Sequence, residues 1–222
     1  MRFLINPIRF INSIRHAYGF DVHSPFAFHL ILDTIHCPHS YYNYVENEAK
    51  LEKAALLKQA DLRFAKLLFR LTNRFNSENI LEIGSGCGIN TLYISASSKY
   101  TSIVCVEQND ENSIIAESLL ENKISNITFI KEIPKDDTNF DAIFWNLASF
   151  SDKNDELISY IQNSIKDEGF IVLKHINKNR HCREIWREVK NIDSLTMSFD
   201  LGSIGIAFFI STLPKLNYDV YF

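Results

Sequence analysis

Hydrophobic positions along the chain follow two periods. Up to about residue 76 they recur at helical spacing; from residue 79 they gather into short β-branched runs separated by helical stretches of ten or more residues. Asn6-Pro7 and Ser24-Pro25 each place a capping side chain before a proline at the first helical position, where the missing N–H is not needed. The first predicted helix carries Leu4, Ile8, Ile11, Ile14 and Tyr18 on one stripe and stops at Gly19. The second carries Phe26, Phe28, Ile31 and Ile35 and stops at Cys37-Pro38. No Gly or Pro occurs between His39 and Ile83, and residues 45–72 alternate charge with Ala and Leu, which predicts a long helix, whether continuous, kinked or divided.

The β-branched runs 80–83, 102–106, 127–130, 141–145 and 170–173 alternate with helical pattern, as in a parallel α/β sheet. The helix before the fifth run has Leu157, Ile158, Ile161 and Ile165 as its apolar face, with Gly169 just beyond its end. A further helix carries Cys182, Ile185, Trp186 and Val189 on one stripe, a core-facing arrangement, and two strands follow at 195–199 and 204–210. Only a few residues around Gly202 join these two, too few for a parallel crossover, so they form a hairpin and the last strand is reversed. The expectation is an α/β fold: a seven-stranded sheet, mostly parallel with an antiparallel last strand, over residues 77–222, plus an N-terminal helical cap over 1–76.

Composition narrows the function. The 222 residues are 46% hydrophobic and 23% charged, as in a folded domain, and the net charge of -4 gives no general pull toward nucleic acid. Cys37, Cys87, Cys105 and Cys182 form no C-x-x-C pair, so neither a zinc site nor a disulfide framework is indicated and reduced thiols in a cytoplasm are the simplest reading. Arg2, Arg9 and Arg15 interrupt the apolar N-terminus, and no apolar run reaches the length of a membrane span. The first helix's stripe could meet an anionic membrane surface; a roof over a pocket is the favoured reading.

The chemistry centres on Glu82-Ile83-Gly84-Ser85-Gly86-Cys87-Gly88, a glycine-rich turn between a buried strand and a helix. Glycines let the backbone turn sharply and approach a ligand, and the following helix offers unpaired N–H groups. Ile89 stands where the dinucleotide fingerprint needs its third glycine, and the phosphate-loop pattern is absent.

Glu82, Gly84, Gly86 and Gly88 resemble the first motif of the class I, Rossmann-like S-adenosylmethionine-dependent methyltransferases. The resemblance implies S-adenosylmethionine as cofactor, held by Glu82, Gly84, Ser85, Gly86 and Gly88. Glu107, about twenty residues on, falls where that superfamily places the carboxylate for the ribose hydroxyls. Glu132, after the third strand, is a weaker adenine-side candidate, and Trp145, at the mouth of the sheet, is a candidate stacking platform for adenine or acceptor. Residues 140–146 and 169–175 resemble strands four and five of small-molecule O-methyltransferases of the catechol type. Gly19 to Phe28, containing His23-Ser24-Pro25-Phe26, resembles an H-S-P-F segment of a bacterial branch of that group.

Those relatives place carboxylates at the ends of strands four and five to hold a divalent cation. Here Asn146, Lys174 and His175 occupy those positions, and an ammonium opposes a divalent charge, so no metal is expected. His175 is then the candidate general base, with Lys174 or Asn146 stabilising an oxyanion. Successive strand residues face opposite sides, so Lys174 and His175 share a pocket only if the strand has already ended. The expected partner is a small hydroxyl-bearing acceptor, with a homodimer left open. The alternative is a catalytically degenerate donor-binding or protein-interaction module on the same fold; a nucleic-acid methyltransferase ranks third, because no N-P-P-Y type motif follows Asn146.

Overall fold

Strands that are apolar on both sides must be covered on both faces. The computed structural model, which describes residues 7–121, 124–134, 138–149 and 154–222, meets that demand with helices on either side of one sheet. The strands are β1 (Asn79–Ile83), β2 (Ser102–Val106), β3 (Ile127–Ile130), β4 (Phe140–Asn146), β5 (Ile165–Lys174), β6 (Met197–Asp200), β7 (Ile204–Phe208) and β8 (Leu216–Asp219). Their order is β3-β2-β1-β4-β5-β7-β6-β8. β1 to β5 are mutually parallel, and β7 runs antiparallel to both β5 and β6. The short link at Gly202 thus makes the expected hairpin, closed by the Leu201 N–H on the Ile204 carbonyl at 2.8 Å.

The sheet has eight strands, which corrects the expectation of seven. β8 pairs parallel with β6, so the reversed strand β7 lies inside the sheet and a parallel strand forms its edge. Its apolar pattern, Leu216, Tyr218 and Val220, alternates, but the run is short and its intervening residues are polar. Tertiary pairing fixes it: Leu216 N–H to the Thr196 carbonyl, Val220 N–H to the Asp200 carbonyl, both 2.9 Å, and the Ser198 hydroxyl to Asn217 Oδ1 at 2.6 Å. Ile165 also differs from expectation, opening β5 rather than completing the preceding helix. It pairs with Phe140, after which the β4–β5 register shifts and resumes at Ala142 and Phe170.

The helices are α1 (Pro7–Ala17), α2 (Pro25–Leu30), α3 (Tyr42–Lys53), α4 (Leu62–Phe75), α5 (Ile89–Ile94), α6 (Asp110–Leu120), α7 (Asn154–Ser164) and α8 (Arg180–Lys190). Ser24 caps α2 through the Ala27 N–H, as its position before Pro25 predicts. α2 runs on into a π-helical turn, Ile31–Ile35. The turn's carbonyls at Thr34 and Ile35 accept from the buried Arg70 guanidinium of α4 at 2.5 and 3.1 Å. The long predicted helix is divided. α3 ends where Ala55 takes a left-handed φ of 58°, and α4 restarts at Asp61, whose side chain accepts from the Phe64 N–H at 3.1 Å.

One face of the sheet packs Ile80, Phe144, Phe170, Val172 and Phe208 against α2, α3, α4 and α5; the other packs Ile143, Trp145, Ile171 and Leu173 against α7 and α8. α1 lies along β8, with Tyr221 N–H donating to the Ser13 carbonyl at 2.9 Å. Five strand spacings, on the order of 24 Å, separate β8 from β1, so α1 forms no roof over the glycine turn. Leu4, the Asn6 cap and Arg2 lie outside the described residues. No described helix is long and apolar enough to cross a membrane.

Ala55 carries a Cβ in a left-handed conformation at an exposed helix end. Ala55→Gly removes that strain, and chemical denaturation should show a gain of about 0.5–1 kcal/mol.

Candidate functional site

β1 and β2 end side by side, Ile83 opposite Val106, so the residues that leave them converge. The Gly84 N–H donates to the Val106 carbonyl at 2.9 Å. Gly84, Gly86 and Gly88 take φ of 76°, 58° and 76°. A Cβ on Gly84 would lie 2.9 Å from Ser149 Cβ and 3.3 Å from Asn146 Cβ, and one on Gly88 would lie 2.9 Å from Ala116 Cβ. A Cβ on Gly86 would meet no atom within 4 Å. The outer glycines therefore admit close packing, while the middle one opens onto free space.

Glu107, only 7% exposed, binds this turn to the end of β2. Its Oε2 accepts from the Gly86 N–H at 2.7 Å and its Oε1 from the Asn109 N–H at 2.9 Å. Asn109 in turn caps α6, accepting from the N–H groups of Glu111 and Asn112. A carboxylate has about four acceptor positions, so Glu107 keeps capacity for hydroxyl donors. Ser85 is buried within the turn. Glu82 lies deeper, 2% exposed, and accepts from the Thr91 hydroxyl at 2.6 Å. Burial pushes its carboxyl up to about 7, against hydrogen bonds from Thr91, Asn90 and Cys105 that favour the charged form; nearby Glu107 adds to the rise.

The ends of β4 and β5 adjoin this turn. Asn146 is opposite Lys174 across the ladder, and its Nδ2 donates to Ser149 Oγ at 2.8 Å while its Oδ1 accepts from the Ala148 N–H at 3.1 Å. Lys174 points to the α4 side. Its ammonium lies 2.8 Å from Asp61 Oδ2 and 4.4 Å from the Phe64 ring centroid. Burial raises the Asp61 carboxyl, but hydrogen bonds from Lys174 and the Phe64 N–H outweigh it and leave it below its ordinary value. β5 ends at Lys174, and His175 turns away with a left-handed φ of 67°. Burial lowers the half-buried imidazole's pKa, and Lys174 and Lys178 lower it further, so the neutral form dominates at neutral pH.

The geometry brings together Glu82, Gly84, Ser85, Gly86, Gly88 and Glu107 around one turn, with Asn146 packed against it and Lys174 beside Asn146. Glu132 is exposed beyond the end of β3. Trp145 is 1% exposed and packs with Ile143 and Leu173 in the core beneath α7 and α8, so it offers no stacking surface; Trp186 is likewise core. Sequence reasoning passed over Asp61, Phe64, Thr91 and Ser149. Asp61 had a signal, a capping residue three positions before Phe64, but nothing local pairs it with Lys174. Among the described residues, no three His, Cys, Asp or Glu side chains gather as a metal ion would require.

No family model and no curated protein matches the sequence. Solved structures do match in shape. A Staphylococcus aureus protein provisionally named caffeoyl-CoA O-methyltransferase superposes with a TM-score of 0.63 at 16% identity, over 80% of this chain and 97% of its own. A Geobacter sulfurreducens methyltransferase gives 0.60 at 11% identity, over 78% and 92%. A Bacillus cereus O-methyltransferase solved with SAH gives 0.57 at 16% identity, over 80% and 95%. At these identities the likeness shows the fold alone, a Rossmann-like α/β sheet.

Glu82 yields a sign for pH dependence. Its folded pKa of about 7 stands above the ordinary 4.5, so its contribution to stability is complete below about pH 4.5 and is lost as pH rises through 7. Glu82→Gln should flatten the stability profile between pH 5 and 8 and be relatively more stable at pH 8, as denaturation across that range would measure.

Proposed function

We propose that the chain is an S-adenosylmethionine-dependent methyltransferase acting on a hydroxyl of a small molecule without a metal. The observation that carries this reading is the Gly86 cradle. Its backbone is left-handed and open where a side chain would stand, and its N–H is fixed on a carboxylate at the carboxyl edge of a parallel sheet. S-adenosylmethionine, when bound, supplies an activated methyl group on a sulfonium. Gly84, Ser85, Gly86 and Gly88 provide close backbone approach, and Glu107 accepts from the ribose hydroxyls with its remaining lone pairs. Glu82 is a positioning residue in this scheme, holding Thr91 of α5 to β1 from below. Glu132, exposed at the neighbouring strand end, is the outer candidate on the adenine side.

The acceptor meets the ends of β4 and β5. His175, whose pKa burial lowers, would take the proton of the acceptor hydroxyl as that oxygen receives the methyl group. The Asn146 amide can donate to the developing oxyanion. An amide, an ammonium and an imidazole in place of the relatives' carboxylates support a reaction without a divalent cation. Lys174 is ion-paired to Asp61, which leaves it a weaker oxyanion partner than a free ammonium. That pairing favours the second reading, a donor-binding module without transfer.

Calorimetric titration with S-adenosylmethionine should show binding that Glu107→Ala weakens about 10- to 100-fold, the loss of charge-assisted hydrogen bonds. Absence of binding by the unaltered chain overturns the proposal.

Labelled-methyl transfer to a panel of small hydroxyl compounds should persist in chelator and fall at least about 100-fold in His175→Ala with donor affinity kept, as expected for loss of a general base. Donor binding with no transfer to any acceptor selects the second reading.

A further inference from the structure

α1 is mounted with its apolar stripe outward. Ile8 is 69% exposed and Ile11 56%, followed just past the helix by Tyr18 at 72% and Phe20 at 62%. The inward face is polar or small. Arg9 donates to Asp219 through Nε at 2.8 Å and to Asp200 at 3.0 Å; His16 Nδ1 lies 2.8 Å from the Asp219 carbonyl oxygen; Ala17 is buried. An amphipathic helix in a globular fold ordinarily buries its apolar stripe. Here the Arg9 guanidinium, itself about half exposed, ties the opposite face to β6 and β8 and leaves the stripe on the surface.

The stripe continues into other exposed apolar side chains. Phe10 and Tyr221, 42% and 54% exposed, meet edge to face with ring centroids 6.0 Å apart. Phe28, 37% exposed, packs beside Gly19. Ile8, Ile11, Tyr18 and Phe20 alone expose on the order of 400–500 Å², the size of the largest and often functional apolar patch on a protein surface. With the flanking aromatics the patch approaches the roughly 800 Å² that each partner contributes to a standard interface.

Charge distinguishes the occupants. Arg15, the cation on the outward face, pairs with Asp21 at 2.7 Å, both about half exposed. Arg9 is committed to β6 and β8. An anionic lipid surface favours an excess of basic residues around an apolar stripe, whereas among the described residues of α1 Arg15 is offset by Asp21 and Arg9 by Asp219 and Asp200. A patch with one cation and one anion beside an apolar centre is instead complementary to itself under a two-fold rotation.

We propose that this face is the interface of a homodimer, in which α1 of one copy packs on α1 of a second and buries Ile8, Ile11, Tyr18 and Phe20. Arg15 and Asp21 then exchange partners across the axis. The proposal stands apart from the methyltransferase reading, since the patch lies at the opposite edge of the sheet from β2 and β3.

Sedimentation equilibrium over a concentration series should give twice the chain mass for the unaltered protein. The double variant Ile8→Asp/Ile11→Asp should dissociate at least about 100-fold more readily, because two aspartates replace buried aliphatics. Tyr18→Glu should act in the same direction, and the circular dichroism of both should match the unaltered chain because the altered positions are exposed in the protomer. A monomer at all concentrations, or a dimer indifferent to these variants, overturns the proposal. Flotation of a monomer with phosphatidylcholine–phosphatidylserine vesicles, lost in the double variant, overturns it in favour of a lipid surface.

Discussion

The Glu107 carboxylate is the joint on which the strand-end geometry turns. One oxygen receives the Gly86 N–H and the other the Asn109 N–H, so a single side chain sets the path of the turn after β1 and the entry to α6 after β2. Both N–H groups find their acceptor in this one buried carboxylate, and a backbone donor without an acceptor is costly. The left-handed path of the glycines, the start of α5 and the space above Gly86 follow from that junction. Gly84 and Gly88 then let β4 and α6 close in, to separations that a Cβ would forbid.

Much of this was legible because its cues are local. Glycine spacing, an acidic residue one βα unit later and a hairpin too short for a crossover each lie within a few dozen residues. What escaped depends on distant partners. β8 owes its pairing to β6 more than to its own apolar content. Ile165 fits a helical stripe, but Phe140 recruits it into the ladder. Trp145 stands one residue before the strand end, and alternation alone sends it to the face opposite Asn146. The α1 stripe was correctly periodic, yet periodicity names a face without saying which way it points, and Asp219 and Asp200 decide that by binding Arg9.

The end of β5 shows how one backbone step separates two neighbours. Lys174 still obeys the strand and falls on the α4 side, where Asp61 neutralises it and Phe64 covers it. His175 has left the strand in a left-handed conformation, and burial lowers the pKa of its ring. Sequence alternation anticipated that these two side chains meet only if the strand has ended, and it ends between them.

The π-helical turn after α2 has a reach beyond its own five residues. Its carbonyls find their donor in Arg70, 36 positions downstream of Thr34, so once buried the turn depends on α4 for its hydrogen bonds. A local irregularity thereby ties together two helices that are distant in sequence, the turn after α2 drawing its donor from α4.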